Sequence, residues 1–379
     1  MSKTTVRIVT IALVAAAGLL GQSLVASTVV VGPATCKSGF THYSTIQSAV
    51  STVPFNTVVM VCPGTYPEQV AISQPLTLEG VTDGTGNAAV ISVPGAGLVQ
   101  NGTSVSFGAI AAQLLVQNTV GVTVKNLIVD GTGGVCPAGF VYPNRITGIG
   151  VLNVGTANDG TAAAKIEDVV VRNEQGCEGD GVLADTSYAT ITASEIHDIN
   201  QTAIDAYNAT YSITNNSIQR AGAYGVVLLN NSSGSVVSGN SISDSFNGIL
   251  SSDTSNSATI TSNTVLSSSY VGLWIYFSYH QTVTKNVVSA AQWPLVVEGG
   301  FDDTVQSNKS NSAVYDGILD EFSFGGNNIT KNTVNEGQYG IFSDSSTGGD
   351  TLVPNTFFNV VITIDPGPTQ GPTAPGSNP

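Results

Sequence analysis

Three carboxylates, Glu298, Glu321 and Asp344, follow one another at intervals of 23 residues. If that interval is one turn of a stacked coil, the three side chains fall on consecutive rungs about 4.8 Å apart. Carboxylates that close raise one another's pKa or recruit a cation such as Ca2+. A pair near 5 Å also suits acid/base or nucleophilic glycoside chemistry. Asp320 and Glu321 equally have the look of turn residues, so solvated turn charges, a cation site and catalysis all stand open at this point. His197 and His280 read as exposed loop residues rather than bases.

The interval belongs to a repeat. A polar-Asn-x-apolar element recurs at Asn216, Asn240, Asn263, Asn286, Asn308, Asn332 and Asn355, with gaps of 24, 23, 23, 22, 24 and 23 residues. Ile218, Ile242, Val265, Val288 and Val334 follow two residues later, with Ser310 as the exception after Asn308. A second element is Gly followed by two apolar residues, as in Gly225-Val226-Val227, Gly248-Ile249-Leu250, Gly272-Leu273-Trp274 and Gly317-Ile318-Leu319. The segments are short, rich in Val, Ile, Thr and Ser, and bounded by Asn, Asp and Gly, which marks strands and turns. No Leu-x-x-Leu-x-Leu frame is present. The expected fold is an all-β, single-stranded parallel β-helix, with the Asn residues bonding from coil to coil as a ladder.

Stacking lets columns be read from the aligned repeats. If the residue after each Gly points inward, alternation sends the next one outward. That column runs Leu183, Asp205, Val227, Leu250, Trp274, Val296, Leu319 and Phe342. Two residues on, the same face carries Asp185, Tyr207, Leu229, Ser252, Tyr276, Glu298, Glu321 and Asp344. Asp205, Tyr207, Trp274 and Tyr276 are therefore candidate sugar-binding residues, because aromatic rings make an apolar platform and carboxylates accept hydroxyl hydrogen bonds. Packing under loops or against another protomer explains the same aromatics. A further column, Asp130, Arg172, Asp198, Arg220 and Asp244, alternates in sign. Surface compensation accounts for it, and Arg172 and Arg220 otherwise offer a grip on a polar or anionic glycan.

Lys3 and Arg7 precede an apolar run from Ile8 to Leu20, with small residues at Ala26 and Ser27. Residues 1–27 are expected to be a cleaved secretory signal, residues 28–365 the β-helix and residues 366–379 a disordered Pro/Gly-rich tail. No later stretch is long and apolar enough to insert in a membrane. The formal net charge of −15 repels phosphates and anionic lipid, which discounts nucleic acid and membrane surfaces as partners. A hydrophobic content of 41% argues against disorder for so acidic a chain. Four cysteines in an exported chain imply two disulfides. Cys136 and Cys177 hold matching places in two long loops of adjacent coils, and Cys36 precedes a short helix whose first β-segment neighbour ends at Cys62. The expected pairs are Cys36–Cys62 and Cys136–Cys177. That helix, capped by Ser44 and carrying Ile46, Ala49, Val50 and Val53 on one face, is suited to plugging the amino end of the stack.

The segments YSTIQSAV (43–50), VVMVCPGTYPEQV (58–70) and PLTLEG (75–80) resemble the amino-terminal entry of secreted right-handed parallel β-helix proteins of the pectin-lyase-like kind, including NosD-type repeat proteins. The resemblance implies the fold and leaves the activity open, since that fold carries lyases, hydrolases, esterases, epimerases and non-enzymatic proteins. Gly300-Phe301-Asp302-Asp303 is a poor partial match to a methylesterase element, and polygalacturonase, pectate lyase and alginate epimerase motifs are missing. Three histidines and two methionines do not support copper binding. The leading expectation is an exported protein that binds or processes a polysaccharide. A non-enzymatic structural or adhesive surface protein is the alternative, and a methylesterase- or lyase-like enzyme comes third.

Overall fold

The computed structural model describes residues 27–82, 88–155, 164–230, 234–252, 257–289, 291–344 and 349–365. The expected signal up to residue 26 and the Pro/Gly-rich tail lie outside them. The strands from Thr28 to Asp365 wind into a parallel β-helix. Each coil supplies three strands, as in Tyr211–Thr214, Ser217–Ala221 and Tyr224–Leu229. Stacking the coils makes three faces, here called the first, second and third sheets in that order. The first holds thirteen strands, and the second and third are hydrogen-bonded into a common 23-stranded sheet. Among the described residues the one antiparallel pair is a hairpin, Gly102–Ser104 against Gly108–Gln117.

The alternation of the short segments sends one side chain in two to the interior. Ile191, Ile213, Val237, Ile260, Val283, Val305 and Ile329 stack in register down the first sheet, each fully buried. Ile204, Val226, Ile249, Leu273, Leu295, Ile318 and Ile341 do the same in the third. Each such side chain contributes about 1.5–3 kcal/mol through burial, and a slip of one residue would turn the column out to water. The repeated Gly opens the third-sheet strand where coils press closest: a Cβ on Gly248 would meet the Gly272 carbonyl oxygen at 2.2 Å.

Between the first and second sheets the chain bends through a residue of positive φ, such as Asn215, Ser262, Lys285 or Lys331, and then the ladder Asn. From Asn216 to Asn355 each Nδ2 except the last donates to the Oδ1 of the next at 2.9–3.1 Å. The same Nδ2 also donates to a main-chain carbonyl, and the same Oδ1 accepts a main-chain N–H. An amide is suited to the position because it has donors and acceptors to match both neighbours. The expected ladder is present.

The helix spans Ile46–Thr52 and buries Ile46, Ala49 and Val50. Its N-cap is Thr45, whose side chain accepts from Ser48 N, and not Ser44. Thr45 is the last residue with extended dihedrals, so its oxygen and not that of Ser44 reaches the free amides. Glu68 assists from another segment, accepting from Ile46 N and Gln47 N at 2.8 and 2.9 Å. Both expected disulfides are formed, with Cα separations of 6.2 Å for Cys36–Cys62 and 5.4 Å for Cys136–Cys177.

The alternating charge column is broken. Asp130 sits opposite Arg172, with an ion pair of 2.8 Å, but the next rungs place His197, Gln219 and Ser243 in line, not Asp198, Arg220 and Asp244. Ile128 and Val170 face outward, whereas Ile196 and Ile218 face inward, so counting from the first apolar residue slips by one. Asp198, Arg220 and Asp244 fall instead on a turn of positive φ. Asp198 and Arg220 still pair there at 2.6 Å.

Candidate functional site

The outer face of the third sheet gathers most of the candidate site residues. The residue after the Gly is buried in every coil from Val182 to Ile341, so its successor points outward. Register then places Tyr207, Leu229, Ser252, Tyr276, Glu298 and Glu321 in one column and Asp205, Val227, Leu250, Trp274, Val296, Leu319 and Phe342 in the other. Glu298 and Glu321 are direct neighbours across one rung step, about 4.8 Å. Asp344 lies just past the strand Thr333–Ser343, where its carboxylate accepts from Phe322 N at 3.1 Å.

A third outward column was not foreseen. It is the residue before each Gly: Tyr224, Asn247, Val271, Asp316 and Tyr339, with Trp293 before Pro294. The repeat itself held the signal, because that residue keeps a constant offset from the Gly. This column brings Asp316 and Trp293 to the carboxylates.

Two indoles each hold one acid. Trp274 Nε1 donates to Glu298 at 3.2 Å and Trp293 Nε1 to Asp316 at 3.1 Å. Burial raises Glu298 and Asp316 above the usual carboxylate range, and the indole bond in each case opposes the rise. Glu321 has no such donor. Burial first, then the charges of Asp344, Glu298 and Asp316, push it up to about 7. Val271, Val296 and Leu319 floor the space between. Trp293 stands between Tyr270 and Tyr315 at ring distances of 5.1 and 5.2 Å, and Trp274 lies 5.4 Å from Tyr276. The site therefore offers one carboxyl raised to about 7 beside two others also raised by burial, each of whose charged forms accepts an indole N–H, between aromatic walls.

Asp205 and Tyr207 share this face but not this cluster, lying four rungs before Glu298. They meet Arg145, Asp180 and Asp185 under the hairpin tip. Arg145 Nε is 3.5 Å from Asp180 and Nη1 is 3.4 Å from Glu178. Its guanidinium lies 4.5 Å from the Phe107 ring, which in turn meets Tyr207 edge-on at 4.7 Å. Burial pushes Asp180 up to about 7 and Asp205 well above the carboxylate range, the latter helped by the Asp180 charge. Asp180, just before Gly181, belongs to the third column, whereas Arg145 escapes a reading by columns because its covering group, Phe107, comes from the hairpin of a different coil.

Arg172 and Arg220 stand apart from both groups. Arg172 is tied to Asp130 on the second sheet. Arg220 is tied to Asp198 beside a shallow cleft of about 280 Å³ that Gln175, Asn200 and Asp244 also line. That cleft holds none of the raised carboxylates. Among the described residues no group of three or more His, Cys, Asp or Glu is placed to hold a metal ion, so the Ca2+ reading of Glu298, Glu321 and Asp344 finds no ligand set. No helix there is long and apolar enough to cross a membrane.

A family model described as "Right handed beta helix region" matches residues 147–302. No curated protein matches the chain. Among solved structures, the A-module of a mannuronan C-5 epimerase from Azotobacter vinelandii has a TM-score of 0.53 at 14% identity, covering 84% of this chain and 90% of that one. A GH136 lacto-N-biosidase from Eubacterium ramulus has a TM-score of 0.60 at 12% identity, covering 89% and 68%. A DFA-IIIase from Arthrobacter chlorophenolicus has a TM-score of 0.55 at 14% identity, covering 80% and 88%. At such identities the likeness is one of fold.

Proposed function

We propose that this right-handed parallel β-helix is an exported protein that binds a polysaccharide along the outer face of its third sheet and hydrolyses it between Glu321 and Glu298. The observation that carries this reading is the adjacent pair itself: Glu321 raised to about 7, Glu298 held by the Trp274 indole, one rung apart. A rung step of about 4.8 Å suits the close carboxyl spacing of about 5–5.5 Å at which the second carboxylate acts as a nucleophile. Glu321 gives its proton to the glycosidic oxygen as that bond breaks. Glu298 attacks the anomeric carbon, and water, losing a proton to Glu321, then releases the sugar. Trp274, Tyr276 and Trp293 supply platforms for the flanking rings. The mannuronan C-5 epimerase and the lacto-N-biosidase that share this fold agree with this substrate class.

Export is part of the same reading, from residues 1–27 as a signal and from the two disulfides. The buried face of helix Ile46–Thr52 serves it as the plug of the amino end. A panel of neutral, uronic and amino polysaccharides, read for binding and for new reducing ends, tests the function. Release from at least one is expected, with Glu298→Gln binding normally but releasing nothing. Trp274→Ala should weaken binding by at least about 1 kcal/mol with little change in Tm. Binding without release would favour a non-enzymatic surface protein, and silence on every glycan a protein partner instead.

A further inference from the structure

The outer face of the third sheet is open along its later coils and covered along its earlier ones. The tip of the hairpin Gly102–Ser104/Gly108–Gln117 packs its Phe107 against Leu115, on the far end of its own second strand, and against Leu152 and Leu183 of the next two coils. The tip is latched: Asp185 accepts from Ser104 Oγ and, at 2.9 Å, from Ser106 N and Asn208 Nδ2. Asn208 also donates to Ser106 Oγ at 2.9 Å. The cover stops at the rung of Asp205 and Tyr207. A chain lying along the sheet from Glu298 meets Tyr207 after four rungs, about 19 Å, and then the hairpin.

What stands at that wall is polar and unfinished. Asp205 is 3% exposed and its Oδ1 has no hydrogen-bond partner, while the fully buried Asp180 meets Arg145 Nε through Oδ2 only as an ion pair at 3.5 Å, without a hydrogen bond. Leaving the Asp205 oxygen unpaired costs about 1–3 kcal/mol. In later coils the Asp205 column is apolar, with Val227, Leu250, Trp274, Val296 and Leu319. A carboxyl pair, a phenol and a guanidinium together accept and donate to neighbouring hydroxyls, while the Phe107 and Tyr207 rings suit a sugar face.

We propose that the hairpin makes the outer face a blind groove, and that Arg145, Asp180, Asp205 and Tyr207 form a terminal subsite for the hydroxyl-rich end of a glycan chain. The inference rests on Glu298 and Glu321 as the hydrolytic pair. It makes the enzyme exo-acting, releasing an oligosaccharide whose length the distance from Tyr207 to Glu298 sets.

The test uses the full chain on whichever polysaccharide of the panel it hydrolyses, following viscosity and the sizes of early products. One short product from the first turnovers, with little loss of viscosity, is expected. Asp205→Asn, nearly isosteric, should raise KM about tenfold with kcat little changed, the mark of lost binding rather than lost chemistry. Phe107→Ala should broaden the product sizes as the wall loosens. An immediate ladder of sizes with a steep viscosity drop from the wild type overturns the blind groove and leaves the hydrolytic reading standing. So does an unchanged KM in Asp205→Asn. No release from any polysaccharide overturns the hydrolytic reading, and the terminal subsite with it.

Discussion

Replacing Asn263 with Ala removes the middle of the asparagine ladder, and the cost can be counted from its bonds. Oδ1 of Asn263 accepts from Asn240 N at 3.0 Å and from Asn240 Nδ2 at 2.9 Å. Its Nδ2 donates to Val237 O at 2.9 Å and to Asn286 Oδ1 at 3.0 Å. Asn286 Oδ1 keeps the Asn263 N–H and Val237 O stays in the ladder to the next first-sheet strand, but Asn240 N and one Asn240 Nδ2 proton lose their partners. Both lie in the interior, and Asn263 is fully buried. At about 1–3 kcal/mol for each stranded group, partly relieved by relaxation, the loss should be about 3 kcal/mol. Asn355→Ala is the control, because Asn355 is only half-buried and water can reach the groups it leaves. Urea unfolding followed by far-UV circular dichroism reads both. A loss under about 1 kcal/mol for Asn263→Ala, or equal losses for the two variants, would refute the claim that the ladder's buried bonds hold adjacent coils together.

Three further outcomes follow from single residues. Ser310 is buried in register between Val288 and Val334 with an unpartnered Oγ, so Ser310→Val should stabilise the protein by about 1–2 kcal/mol, and a fall in Tm would show the column has no room there. Burial raises Asp303 to about 8 and Asp320 to about 7, so the folded state holds protons that the unfolded state has lost above about pH 4. Their contribution is complete below that pH and is lost as pH rises through 7 to 8; Tm should be higher at pH 5 than at pH 8, and Asp303→Asn should flatten the slope. Non-reducing peptide mapping of exported protein should return the Cys36–Cys62 and Cys136–Cys177 peptides, and a crossed pair or free thiols would contradict the loop placement.

Much of the fold could be read from residues because a solenoid repeats one local solution. The ladder Asn residues announce the period, and the recurring Gly fixes which neighbour points inward, so Glu298, Glu321, Trp274 and Tyr276 fall where alternation places them. The reading failed where that frame of reference changed. Ile128 and Val170 point outward, so the charge column slipped at Asp198. Thr45 took the cap from Ser44 because only the dihedrals locate a helix start. Arg145 and Phe107 had no signal in the repeat, since a hairpin inserted between coils brings them together over Tyr207. Asp180, Trp293 and Asp316 had one, the constant offset before the Gly or the Pro that replaces it.

The most direct test of the central claim is the pH dependence of hydrolysis by the wild type and by Glu321→Gln. A proton held on Glu321 to about pH 7 predicts that wild-type kcat/KM falls above that pH. Loss of that proton donor predicts a fall of about 10²–10⁴-fold in Glu321→Gln, with glycan binding retained. A Glu321→Gln variant that cleaves at the wild-type rate, or a wild-type rate that climbs steadily through pH 7, would contradict Glu321 as the acid.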